Sequence, residues 1–151
     1  MSVRSTPATG SGHDDAEVAE RVDALIARMT VAEKAGQLTQ YFYFGSLPSE
    51  GNQDAPGPTV PGQAAAVEAA LARGEVGSLL LVTDPAEVNR LQRLAVAGNR
   101  HGIPVVFGFD VIHGLRTIFP VPIAMAASWD PEAIEQGQAV AAREARAAGI
   151  G

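Results

Sequence analysis

Two short apolar runs, each leading into a helix start, limit what this chain can fold into. Residues 75–84 read EVGSLLLVTD and residues 103–110 read IPVVFGFD. Neither alternates apolar with polar positions, so each fits a strand covered on both faces, as in a parallel sheet. After the first run, Asp84-Pro85 combines a side-chain N-cap with a proline suited to the first helical turn. Val88, Leu91, Leu94 and Ala95 then recur at helical spacing, with Glu87 at a capping-box-like position and Gly98 near the end. Asp130-Pro131 repeats the device. The helix it opens is expected to run to about Ala148, with Gly137, Ala141 and Ala145 allowing close packing. PIAMAAS, residues 122–128, is a candidate for a third, short strand. Strand, cap and helix in repetition are a βαβ rhythm, which implies an α/β fold with a parallel sheet and right-handed crossovers.

The remainder of the chain divides around this unit. Residues 1–16 are mostly Ser, Thr, Gly, Pro and Asp with little to bury, so a disordered tail is expected there, His13 included. From Glu17, the residues Val18, Val22, Leu25, Ile26 and Met29 form one apolar helical stripe. Thr30 and Glu33 make a capping box, so a second helix is expected from Val31 to near Gln40, carrying Leu38 inward. Residues 41–62 read as loop because glycine and proline interrupt any regular element. The aromatic head of that loop, 41–44, is either a short strand or a packed anchor. Residues 63–73 read as an alanine-rich helix stopped by Gly74.

Composition excludes several classes of function. Of 151 residues, 46% are apolar and 19% charged, an ordinary globular mixture. The formal net charge of −6 disfavours nucleic acid and anionic membrane surfaces as partners. Cysteine is absent, so disulfides and thiolate metal sites are excluded. His13, His101 and His113 show no metal-ligand spacing. There is no dinucleotide fingerprint, phosphate-binding loop or nucleophile elbow. The opening residues lack the apolar core of a secretory signal, so the cytoplasm is the expected location.

The chemistry-bearing residues gather in FGFDVIHGLRTIFPVP, residues 107–122. Ligands of parallel α/β folds bind at the carboxyl ends of the strands, where Asp110 falls. An aspartate there can accept hydrogen bonds from sugar hydroxyls, cap the loop backbone or attack as a nucleophile. His113 can donate to a ligand or hold the loop through a carbonyl. Arg116 can pair with Asp110 or with a distant carboxylate. Asp84 holds the equivalent place after the earlier strand, where capping is the expected role. Trp129 suits a sugar-stacking platform or a core or interface position. Glu144, Arg143 and Arg146 are expected on the solvated side of the last helix, a surface ion-pair arrangement of small energetic weight.

Three stretches carry a family resemblance: RVDALIARMTVAEKAGQLTQ, then residues 75–136 including DVIHGLRTIFP, then AVAAREARAAGIG. Together, over about residues 17–151, they resemble the opening of the catalytic domain of glycoside hydrolase family 3, β-glucosidase/β-xylosidase type. The N-acetylglucosaminidase branch usually carries an Asp-Gln-Glu-Gly-Gly-like motif in place of DVIHG. The resemblance implies an incomplete (β/α)8 TIM-like barrel, an N-terminal part with about three or four of its strands, over residues 17–151. It implies that Asp110 lines the glycone subsite and bonds sugar hydroxyls, with a loop-shaping or subsite role for His113 and Arg116. It also implies a small β-linked sugar or glycoside as ligand, with no metal or cofactor. Family members place their nucleophile and acid/base beyond the position matching residue 151. Retaining hydrolysis needs two carboxylates about 5–5.5 Å apart, so no turnover is expected of this chain alone. An unclosed part-barrel is also expected to self-associate or to recruit a complementing chain through its open edge. Two rival readings are a non-catalytic sugar-binding or partner-docking module, and a different α/β enzyme using Asp110 and His113 as an acid/base pair.

Overall fold

The computed structural model describes residues 15–45 and 61–151. The expected tail lies outside them except for Asp15 and Ala16, which already belong to a helix. The order is α1 (Asp15–Arg28), α2 (Val31–Gln37), β1 (Gln40–Phe42), α3 (Gln63–Ala72), β2 (Ser78–Leu80), α4 (Pro85–Gly98), β3 (Val106–Gly108), α5 (Pro122–Ala126) and α6 (Pro131–Ala147). The three strands form one parallel sheet in the order β1-β2-β3. The aromatic head of the first loop therefore serves in both roles open to it: it opens as strand β1 and continues into Tyr43, buried at 2% exposure.

The register explains which face is covered. Tyr41, Leu79 and Phe107 stand side by side, as do Gln40, Ser78 and Val106, and Phe42, Leu80 and Gly108. Side chains alternate between faces along a strand. Leu79 and Phe107 are buried in a cluster with Val67, Ala70 and Leu71 of α3 and Val88, Leu91 and Ala95 of α4. On the opposite face Val106 is 59% exposed and Phe42 54%. The expectation of strands buried on both faces is thus met on the helix side only. An uninterrupted apolar run signals two apolar faces, but it does not name what covers the second.

The caps form as their chemistry dictates. Thr30 Oγ1 accepts from the Glu33 amide and Glu33 accepts from the Thr30 amide, closing the box that opens α2. Arg100, just beyond α4, grips both oxygens of the same carboxylate at 2.7 and 2.8 Å. That guanidinium, then the Thr30 amide, holds the Glu33 carboxyl well below the usual carboxylate range. Asp84 accepts from the Ala86 amide and Asp130 from the Ala133 amide, each with proline next in the chain. Glu87 does not complete a box. It faces Tyr43 and Arg90 instead.

Two sequence expectations need correction. Residues 122–126 are helix α5, not a strand. Pro122 occupies a first-turn position that suits its fixed φ, and Ala-Met-Ala prefers helix over strand. Leu38 is not inward: α2 ends at Gln37, and Leu38 is 90% exposed. It lines a groove of about 420 Å³ with Val22, Leu25, Ile26 and Met29 of the α1 stripe. No residue of α1 is fully buried.

After α6 the chain turns back to the sheet. Gly149 adopts φ +84, Ile150 is buried, and the Gly151 amide donates to the Phe107 carbonyl at 3.1 Å. Ala145, Ala148 and Ile150 pack with Phe109, Val111 and Leu115, so α6 closes over the segment that follows β3.

Candidate functional site: the loop after β3

Residues 110–119 leave the carboxyl end of β3 and fold back as a small closed loop. Asp110 stands at its root, two residues past the strand, with an exposed side chain. His113 closes the loop. Its backbone carbonyl accepts from the Phe119 amide at 2.7 Å, and its ring Nδ1 lies 3.1 Å from the Phe119 carbonyl. A carbonyl only accepts, so Nδ1 carries the proton in this contact. Of the two roles open to His113, the structure thus displays the loop-holding one. Gly114 and Ile118 pair as an isolated antiparallel bridge inside the loop.

Glu144 fixes this loop to α6. One carboxylate oxygen accepts from the Arg116 amide at 2.8 Å and the Thr117 amide at 2.9 Å, and the other accepts from the Thr117 hydroxyl at 2.6 Å. The Thr117 hydroxyl and amide, with the Arg116 amide, hold the Glu144 carboxyl below its ordinary range. Glu144 is half-exposed and serves the loop, and it forms no ion pair with Arg143 or Arg146 among the described residues. Positions 141, 144, 145 and 148 follow i, i+3, i+4, i+7 spacing and share one helix face. Ala141, Ala145 and Ala148 on that face are buried. Glu144 belongs to their stripe, a signal the sequence already held.

Arg116 meets a carboxylate through its backbone, and its guanidinium forms no ion pair among the described residues. Neither of the pairings expected of it is therefore the one seen. Asp110 and His113 make no hydrogen bond to each other among the described residues, and Glu144 has both oxygens engaged by the loop. Asp84 caps α4, as its neighbouring proline implied. Trp129 is 91% exposed and sits at φ +53 between α5 and α6, so it is not a core residue.

A second polar cluster lies on the helix side of the sheet, and sequence reasoning missed it. The buried Tyr43 hydroxyl lies 2.6 Å from Glu68 Oε1 and 3.0 Å from Glu87 Oε1, and it accepts from Arg90 at 2.9 Å. Arg90 pairs with both carboxylates, at 2.7 and 2.8 Å. Burial, then the two carboxylates, pushes the tyrosine hydroxyl well above its usual range, while Arg90 holds Glu68 and Glu87 down. The four residues come from α3, α4 and the position just past β1, and no local spacing announces them. They brace β1 against α3 and α4. Gln63, the first residue of α3, adds to this by accepting from the Phe44 amide and donating to the Phe42 carbonyl.

Ligands of parallel α/β folds bind outside the carboxyl ends of the strands, the end from which the loop with Asp110 leaves β3. The family follows from residues 30–151, which match the profile of the glycosyl hydrolase family 3 N terminal domain. The chain belongs to that family. It is 30% identical over 129 residues to a periplasmic β-glucosidase of Salmonella typhimurium, a match covering 85% of this chain and 15% of that protein. It is 34% identical over 148 residues to a probable β-glucosidase C of Aspergillus oryzae, covering 87% of this chain and 22% of the relative. Among solved structures it resembles a mutant β-glucosidase from Listeria innocua in complex with laminaribiose. That similarity has a TM-score of 0.66 and 34% identity, over 87% of this chain and 18% of the other. The chain thus spans less than a quarter of the length of each of these proteins.

Proposed function

We propose that residues 17–151 belong to the N-terminal part of a (β/α)8 barrel in a retaining β-glucosidase-like hydrolase. Their part in that site is to present Asp110 to the hydroxyls of a terminal β-linked glucosyl unit. The observation that carries this reading is the position of Asp110: exposed, at the carboxyl end of a parallel strand, on a loop held at both His113 and Glu144. Active sites of such barrels lie at that end of the strands. An exposed carboxylate there has its lone pairs open to sugar O–H donors.

The catalytic pair is proposed to lie outside these residues. Glu144 is committed to the loop, and Glu68 and Glu87 are committed to Tyr43 and Arg90 on the helix side of the sheet. The exposed apolar face bearing Phe42 and Val106 would then be covered by further barrel strands. The same face is the observation that favours the second reading, a sugar-binding or docking module that completes its sheet with a second copy or another chain.

Titrating the 15N-labelled chain with D-glucose tests the sugar site. Amide shifts are expected at residues 108–114 and are expected to vanish in Asp110→Ala. No response, or one centred on another surface, would overturn the assignment of Asp110.

A further inference from the structure

We infer that Glu144 is a positioning residue for Asp110, acting through the loop and without touching the sugar. The inference rests on the proposed sugar-binding role of Asp110. The geometry that supports it is specific. Between Asp110 and Phe119 the chain must reverse within a few residues, and little buried apolar surface holds its tip: Arg116, Thr117 and Ile118 are all exposed. Two groups of contacts define the reversal. At the neck, His113 and Phe119 exchange their backbone and ring-to-carbonyl bonds. At the tip, one carboxylate on α6 receives three donors from two consecutive residues.

Hydrogen bonds to an ionised acceptor are the stronger kind, and three on one side chain fix an orientation that a single bond would leave free. An earlier turn of α6 seats the loop as well. A methyl group built on Gly137 would lie 3.3 Å from the Phe119 ring, so the neck of the loop rests on the same helix as its tip. Helix α6 is therefore the template for the loop, and Glu144 is its polar contact at the tip. The arm of the loop running from that tip to the sheet contains Leu115 and Val111, which pack on Ala145, Ala148 and Ile150. Without the tip contacts, the 111–115 arm next to Asp110 is held by that packing alone and loses its polar anchor. The carboxylate of Asp110 then samples several directions, and a site on rigid supports loses its preorganisation.

The test compares the whole chain with Glu144→Ala and Glu144→Gln by amide hydrogen exchange, D-glucose titration and thermal unfolding. In Glu144→Ala the Arg116 and Thr117 amides are expected to exchange about tenfold faster or more, and glucose affinity at Asp110 to weaken about fivefold or more. The midpoint of unfolding is expected to stay close to that of the parent, because both core clusters are untouched. Glu144→Gln is expected to recover most of both losses, since its amide oxygen still accepts two N–H donors and its NH2 can donate to the Thr117 hydroxyl. Glucose affinity in Glu144→Ala within twofold of the parent overturns the inference, whatever happens to exchange, because a merely structural clamp would act on exchange or unfolding alone. A parent chain with no glucose response overturns the sugar reading itself, and this inference with it.

Discussion

Leu79→Ala is expected to lower the stability of the fold by about 2–5 kcal/mol, the cost of truncating a fully enclosed leucine. Leu79 is the middle residue of the middle strand and has 0% exposure. It stands in register between Tyr41 and Phe107 and joins the cluster formed with α3 and α4. Its cluster is built mainly of aliphatic side chains and Phe107, so the cavity left behind adds to the lost transfer energy. Domains of ordinary size are stable by about 5–15 kcal/mol, so this one change removes a large share of the margin. Urea unfolding followed by circular dichroism measures it. A midpoint equal to the parent's would mean that the sheet is not packed on α3 and α4 as described.

Gly114→Ala is expected to dismantle the loop after β3 while leaving that core in place. Gly114 adopts φ +115, where a side chain is strained by about 1–3 kcal/mol. An added Cβ would also stand 2.0 Å from the Thr117 carbonyl oxygen, a backbone atom that cannot turn aside. Relief requires breaking the Gly114–Ile118 bridge, and with it the alignment of the Arg116 and Thr117 amides on Glu144. The expected result is loss of the glucose response at residues 108–114, with a smaller fall in unfolding midpoint than Leu79→Ala causes. Retention of the response would show that the sugar contact does not need this loop geometry.

Much of the architecture was legible from local chemistry. Asp84-Pro85, Asp130-Pro131 and the Thr30/Glu33 box mark helix starts because capping is decided within three residues. The parallel sheet followed from the apolar runs around Leu79 and Phe107. The elements misread were those where local preference and burial point different ways. Residues 122–126 are apolar enough for a strand, but proline at the first position and alanine content favour helix. Leu38 is apolar, yet the end of α2 at Gln37 turns it outward.

The site was legible in its residues and not in its supports. Asp110 and His113 stood out because they follow a strand. Glu144 did not, because a glutamate between two arginines on a helix reads as surface until its position in the Ala141, Ala145, Ala148 stripe is noticed. The Tyr43 cluster was beyond local reasoning. Tyr43, Glu68 and Arg90 are brought together only by the packing of β1, α3 and α4.

The central claim is that these residues supply a wall of a family 3 sugar site without its reactive carboxylates. Incubating the purified chain with an aryl β-glucoside, beside its Asp110→Ala variant, tests this most directly. Neither is expected to release the aryl alcohol above the rate in buffer. Steady release by the parent that disappears in Asp110→Ala would contradict it, because a complete catalytic apparatus would then reside in the chain itself.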